Sequence, residues 1–406
     1  MKQPQFQHEA LTAEHAETIK ATLPLVGANI GEIASTFYRT MFGNHPELLR
    51  DTFNRGNQAQ GAQQKALAAS VATFATLLVT PDGPTPDEML SRIGHKHVSL
   101  GITEDQYQIV HDNLFAAIVE VLTPEVVTAD VAEAWEEVYW IMTRTLVRFE
   151  RELYGNLGVE PGKVFLVATV AQRIEHSSEV VSFELVAKDG EAPLRTFRPG
   201  QYISVRRTMA DGAGQLRQYS LDNAPVEGTW RITVKKLVGS PDGEVSTSMV
   251  EGLHVGDDLE VSLPTGDLVL DEQATTPVVL VSAGIGATPM LGMARALGAT
   301  ASQREVLVLH ADHDAADAAL ATELDEAAKA IANGRSLQWF TAGAGDEQLA
   351  GHMDLSELEF AADADVYLCG SNGFLQSLRD QLKAKGVDDS RVHYELFAPN
   401  DWLLPA

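Results

Sequence analysis

The stretch IGHKHVSLG (93–101) places two histidines two positions apart on one helical run. Neutral imidazole is the commonest protein ligand for iron, copper and zinc. On a helix, His97 lies about 20° from Leu90 around the axis and His95 about 140° away. The spacing predicts that His97 continues the Leu90–Ile93 stripe inward while His95 faces the surface. It therefore supports one ligand rather than a chelating pair. Four further polar side chains fall on apolar helical stripes. Tyr38 lies on the face Ile30, Ile33, Ala34, Phe37, Met41, Phe42, and Gln63 lies four residues before the run Leu67, Val71, Phe74, Leu78. Tyr107 heads the run Val110, His111, Leu114, Phe115, Ile118, and Glu150, four past Leu146, lies at the edge of the face Trp135, Val138, Met142, Leu146 and Phe149. An inward glutamine or carboxylate must find partners or cost roughly a few kcal/mol. Each also has an ordinary reading. A single inward histidine is more often a hydrogen-bonded core residue than a ligand, core tyrosines commonly have satisfied hydroxyls, and Gln63 can be out of phase by one residue.

A second set of candidates is glycine-rich. In VVLVSAGIGATPML (278–291) a strand runs into a turn and then a helix start. Gly284 and Gly286 let backbone approach a pyrophosphate, and Thr288 and Pro289 stand where a helix N-terminus offers unpaired N–H groups. The turn is not the G-x-G-x-x-G fingerprint of a classical dinucleotide fold.

These residues need elements to hold them. Up to about residue 157 the chain reads as amphipathic helices. Beyond it, β-branched runs such as VFLVATV, QYISVRR and WRITVKKLV alternate with Gly, Pro and Asp turns. From about 277, strands and helices alternate: PVVLVSA, EVLVLHA and VYLCG imply a parallel sheet. YGNLGVEPGK (154–163) is the expected linker. The expected division is 1–155 all-α, 160–272 an antiparallel β-barrel and 273–406 an α/β parallel sheet.

Bulk properties narrow the chemistry. The 406 residues carry a formal charge of −27, which argues against nucleic acid as a partner. The single cysteine, Cys369, excludes intrachain disulfides, four-cysteine iron–sulfur clusters and C-x-x-C-H haem attachment. Redox chemistry must then use non-covalent organic cofactors or a histidine-held metal. The N-terminal stretch lacks a signal-peptide core, and no apolar run reaches the roughly 18 residues of a membrane helix. The expectation is a cytoplasmic monomer whose partners are small molecules.

Taken together the helical motifs resemble the globin domain of flavohaemoglobins. ASTFYRTMF supplies a distal tyrosine, Tyr38, and DTFNRGNQ a haem-packing Phe53. QQKALAA supplies Gln63 and Leu67, and IGHKHVSLGITEDQY supplies the proximal His97 with Tyr107; Glu150 completes the set. The resemblance implies haem b held through His97, with Tyr38 and Gln63 on the gas-binding side and Tyr107 and Glu150 around the second imidazole nitrogen. In that family a lysine at the position of Lys96 lies near the flavin domain.

FRPGQYISV and LRQYSLDN resemble the flavin barrel of the ferredoxin–NADP reductase superfamily. The resemblance assigns FAD to Arg217, Gln218, Tyr219 and Ser220, with Tyr202 more peripheral. An arginine fork suits phosphate and a tyrosine covers a flavin face. In SPDGEVSTSM, Gly243, Val245 and Ser246 match the pyrophosphate-binding pattern, with Thr247 replacing its asparagine. VYLCGSNGF brings Cys369 and Gly370 toward the nicotinamide, Ser371 standing where the family has proline. In HYELFAP, Phe397 is expected to stack on the isoalloxazine with Glu395 nearby, Ala398 replacing a frequent glycine. Asp312 and Asp314 after VLVLHA would repel a 2′-phosphate, which favours NADH over NADPH. The whole resemblance implies a nitric oxide dioxygenase converting NO and O2 to nitrate. Two alternatives fit the same motifs: a haem-linked reductase of hydroperoxides, and a gas-sensing or oxygen-binding globin with a maintenance reductase.

Overall fold

A computed structural model describes residues 6, 9–56, 62–80, 86–239 and 242–397, with side chains from 67 onward in the helix that begins at Ala62. Gln63 therefore lies in a described helix while its side chain, like Ala398, lies outside the described residues.

The first part is all-α. Helices α1 (Ala13–Ala28), α2 (Ile30–Asn44), α3 (Pro46–Asp51), α4 (Ala62–Val79), α5 (Asp87–Leu100), α6 (Asp105–Leu122) and α7 (Ala129–Leu157) follow in order. Their core gathers the anticipated stripes: Ile33, Phe37, Tyr38 and Met41 from α2, Phe74 from α4, Leu90 from α5, and Leu114 and Ile118 from α6. Thr128 caps the start of α7, its hydroxyl accepting from the Val131 amide. The helix then continues through Tyr154 to Leu157, beyond the expected linker start. It stops where Gly158 adopts φ 65°, a left-handed C-cap that residues with a Cβ rarely adopt.

The second part contains two six-stranded sheets. Strands β1 (Phe165–Glu175), β2 (Val180–Ala187), β3 (Tyr202–Thr208), β4 (Gly214–Ser220), β5 (Thr229–Lys235) and β6 (Asp258–Ser262) order as β4-β3-β6-β1-β2-β5. A bridge between Leu221 and Ile232 joins the two edge strands, closing the sheet into a barrel. Helix α8 (Glu244–Gly252) precedes β6. The other sheet takes β7 (Val278–Ala283), β8 (Glu305–Asp314), β9 (Asn333–Ala342), β10 (Leu349–Ala350), β11 (Asp365–Gly370) and β12 (Val392–Leu396). Its order is β10-β9-β8-β7-β11-β12, with parallel pairing throughout. Helices α9 (Ala287–Ala299), α10 (Ala321–Lys329) and α11 (Asn372–Ala384) cover it, so β7 is buried almost residue by residue rather than in alternation.

The chain divides into two compact units. Among the described residues, one takes the chain up to Leu166 with Arg206–Arg217, and the other takes Val167–Val205 with 218–397. The tip of the β3–β4 hairpin thus packs with the helices. No helix among the described residues is long and apolar enough to cross a membrane.

Candidate functional site

Helices α5, α6 and α7 converge on His97. Its Nδ1 lies 2.9 Å from the Tyr107 hydroxyl and 2.8 Å from Glu150 Oε1, and Tyr107 donates to the same carboxylate oxygen at 2.6 Å. Glu150 is 3% exposed, well inside rather than at the edge of the apolar face. Burial, reinforced by the Glu150 charge, pushes the Tyr107 phenol well above its ordinary pKa, so it remains a donor. With Nδ1 engaged by an acceptor, Nε2 is the nitrogen left to ligate a metal. The residues therefore fit a haem, which His97 would hold through this nitrogen. Two tyrosines buttress the cluster: Tyr139 donates to the Tyr107 carbonyl at 2.7 Å and Tyr154 to the Ile102 carbonyl at 2.7 Å. Nothing in their spacing distinguishes them from other core tyrosines.

The neighbouring histidine corrects the helical-phase reading. His95 is 6% exposed and buried, with its ring 5.6 Å from Phe149 in an edge arrangement. Helix α5 packs on two sides, whereas a single-stripe analysis allows only one. Gly94 makes the second contact possible: a Cβ there would lie 2.5 Å from the Phe149 ring. His97 is the less buried of the pair, its side chain 28% exposed, and Lys96 is exposed.

Tyr38, 3% exposed, belongs to an aromatic group with Phe42 and Phe53, ring centroids 5.4 and 5.9 Å away. Leu67 packs on the same core. Gln215, which the sequence reading did not single out, secures the Phe53 segment. Its amide donates to the carbonyls of Arg50 at 2.9 Å and Phe53 at 3.3 Å. Two residues on, Arg217 is half-buried and its guanidinium donates to the Leu216 carbonyl at 2.6 Å.

In the other unit, Gln218 donates to Ser204 Oγ at 3.0 Å, Tyr219 is half-buried, and Ser220 is buried. Tyr202 is held by two backbone bonds to Thr265, at 2.8 and 2.9 Å. Gly243 precedes α8, where Val245 is buried and the Ser246 hydroxyl donates back to the Gly243 carbonyl at 3.2 Å. The adjacent Thr247 Oγ1 is buried without a hydrogen-bond partner among the described residues. An orphaned hydroxyl beside a helix start fits an incoming phosphate.

The parallel sheet supplies the remaining candidates. Chain order reverses between β7 and β11, and ligands of such sheets bind beyond the strand ends at that switch point. Gly284 takes φ 53°, and a Cβ on Gly286 would meet the Cys369 carbonyl at 2.5 Å. The glycine turn and Cys369–Gly370 are thereby brought together. Thr288 and Pro289 are buried in the first turn of α9, where the Thr288 hydroxyl donates to the Ile285 carbonyl at 3.1 Å. Cys369 is fully buried, and burial followed by the Glu395 charge raises its thiol pKa far above the ordinary value. Cys369 pairs in register with Glu395, itself 8% exposed, whereas Phe397 is 49% exposed.

Sequence reasoning also missed a buried chain beside the turn. Ser282 Oγ lies 2.9 Å from His310 Nδ1, and His310 Nε2 lies 3.8 Å from Asp312 Oδ2. Despite its burial, Asp312 keeps a lowered pKa through His310 and the His313 amide. The register Ser282↔His310 would have revealed the pair; the separation in sequence conceals it.

A flavin-type barrel followed by a nucleotide-type parallel sheet, in one chain with a helical unit that holds a single poised imidazole, defines a haem-linked, flavin-dependent oxidoreductase class. Residues 167–269 match the oxidoreductase FAD-binding domain and residues 280–380 the oxidoreductase NAD-binding domain. The chain is 38% identical to the flavohemoprotein of Chromobacterium violaceum, covering 95% of this chain and 98% of that one. It is 35% identical to the flavohemoprotein of Bacillus subtilis, covering 94% and 96%. A solved flavohemoglobin of Malassezia yamatoensis with bound FAD and heme superposes with a TM-score of 0.87 at 35% identity, covering 96% of this chain and all of that one. The FAD/NAD-binding domain of the nitric oxide dioxygenase of Vibrio cholerae superposes with a TM-score of 0.55 at 35% identity, over 58% of this chain and all of that one. The chain belongs to the flavohaemoprotein family.

Proposed function

We propose that this protein is a nitric oxide dioxygenase that takes electrons from NADH and forms nitrate from NO and O2. The observation that carries the reading is the Tyr107–Glu150 grip on His97 Nδ1. Bound FAD and haem b supply the electron transfer and gas chemistry. The chain's residues orient them and exclude competing chemistry.

A carboxylate hydrogen-bonded to the imidazole makes His97 a stronger donor toward a metal, as in peroxidases rather than oxygen carriers. Tyr38 offers a hydroxyl to a gas ligand, supported by Gln63, while Phe53 and Leu67 pack the porphyrin. Arg217, Gln218, Tyr219 and Ser220 would hold the flavin, with Tyr202, Glu395 and Phe397 completing its surroundings, and Lys96 is assigned to the same cofactor. Gly243, Val245 and Ser246 receive its pyrophosphate. Gly284, Gly286, Thr288 and Pro289 receive the nicotinamide dinucleotide, with Cys369 and Gly370 beside its ring. Segments 1–155, 160–272 and 273–406 carry the haem, flavin and nicotinamide functions respectively. Asp312, kept anionic near the ribose, disfavours the 2′-phosphate of NADPH. The protein works as a cytoplasmic monomer.

Each NO with one O2 needs one electron to become nitrate, and NADH supplies two. Purified holoprotein should therefore form about two nitrates per NADH consumed, by electron balance. Nitrate absent during rapid NADH oxidation would defeat the dioxygenase reading. Asp312→Ser should lower the NADH-over-NADPH ratio of kcat/KM by about tenfold.

A further inference from the structure

Two carboxylates and two guanidiniums, none of them assigned above to a cofactor, meet inside the second unit. Asp222 is fully buried and Arg231 is 4% exposed. Arg231 grips Glu323 with both prongs, at 2.7 and 3.0 Å, and donates to Ser182 Oγ at 2.8 Å. Arg295 donates to the Asp222 carbonyl at 2.9 Å and pairs with Glu323. Asp222 Oδ2 accepts from Thr233. Its Oδ1 has no hydrogen-bond donor and lies 3.3 Å from Arg231 and 3.6 Å from Arg295. His176 borders the group, 3.6 Å from Glu323.

The members come from elements with different tasks. Asp222 stands two residues beyond Ser220, at the end of the strand carrying the RQYS motif, and Arg231 lies on β5. Arg295 lies on α9, the helix that begins at the glycine turn, and Glu323 on α10. Contact between these elements is tight. A Cβ on Gly292 of α9 would meet the Leu221 carbonyl at 2.5 Å, and one on Gly200 would meet Met293 Cε at 2.5 Å. An apolar contact of this size would hold α9 equally well, since buried ion pairs are poor sources of net stability. What charges add is direction: the Arg295 fork ties α9 to the Asp222 carbonyl and to Glu323, which the Arg231 fork holds to β5 in turn.

We propose that Asp222, Arg231, Arg295 and Glu323 are positioning residues that lock the nicotinamide-binding helix to the end of the flavin-binding strand and so set the hydride-transfer geometry. This inference rests on electron entry from NADH to FAD, and not on which gas the haem later consumes. A misplacement of about 1 Å far from the chemistry can cost about a hundredfold in rate. The four charges cancel when both acids are ionised. Removing one leaves the rest unbalanced and the setting loose.

The test uses full-length holoprotein under anaerobic conditions, without NO. Glu323→Gln should keep its FAD content and bind NAD+ within about twofold of the parent, while NADH-driven flavin reduction slows about 10- to 100-fold. Haem reduction by dithionite should be unchanged. Backbone hydrogen exchange at 221–223 and along α9 should rise, a readout independent of turnover. Arg295→Lys keeps the charge but loses the fork, and it should show the same pattern at smaller amplitude. It also serves if Glu323→Gln fails to fold. The proposal is overturned if flavin reduction and exchange stay at parental values, or if reduction falls only in proportion to lost FAD. Failure of nitrate formation with these results intact would strike the dioxygenase reading alone.

Discussion

The cluster around His97 and the network around Asp222 are built from similar parts and are arranged to opposite ends. Each buries a carboxylate among hydrogen-bond donors on several elements. Around His97, Glu150 and Tyr107 satisfy one imidazole nitrogen, and the side chain keeps 28% exposure. Around Asp222, two acids meet two guanidiniums and the partners are all internal. The first arrangement leaves an unsatisfied ligating position, as a cofactor site must. The second closes on itself, as a device for fixing geometry does.

The largest effect that would break this contrast is at the ligand. His97→Ala should lower haem content by more than about tenfold, removing the Soret band while flavin absorbance remains. A retained Soret band would show that the imidazole is not the ligand. Next comes the residue behind it. Glu150→Gln should retain haem but reduce turnover about 10- to 100-fold, with a lower iron–histidine stretching frequency by resonance Raman. An unchanged frequency would reduce Glu150 to a packing role.

The Asp222 network should answer to pH instead. Burial pushes Asp222 up to about 6, against the pull of Arg231 and Arg295. A folded value above the ordinary 3.8 means that folding favours the protonated acid. Its stabilising contribution is complete in acid and is lost as pH rises from about 4 to 6. The unfolding free energy of the parent relative to Asp222→Asn should therefore fall by about 2 kcal/mol between pH 4 and 7, read by denaturant titration at each pH. A difference that rises with pH would mean that the paired, ionised acid dominates. The smallest effect is steric. Gly94→Ala should cost about 1–2 kcal/mol, measured as a lower unfolding midpoint, because its Cβ must displace the Phe149 ring.

Much of this was legible in sequence because it is local. Stripes at helical spacing placed Tyr38 and Tyr107 inside and Glu150 only at the edge of the buried face, and β-branched runs followed by glycine turns located the two sheets. Helical phase misjudged His95 because it describes one face of α5, while Phe149 covers another. The linker began later than expected because α7 continues to its left-handed cap at Gly158. Ser282–His310 and Asp222–Arg231–Arg295–Glu323 left no local trace, their members being brought together by strand register and helix packing across long stretches of chain.

By itself, then, the sequence determined the main inward stripe of each helix, the approximate bounds of the elements, and the order of the helical, barrel and parallel-sheet parts, since periodicity and turn chemistry act over a few residues. Only the tertiary structure decided which inward polar groups share a proton, which glycines are close-contact points, and which charges neutralise one another. Those outcomes depend on distances of about 3 Å between residues that the chain itself keeps far apart.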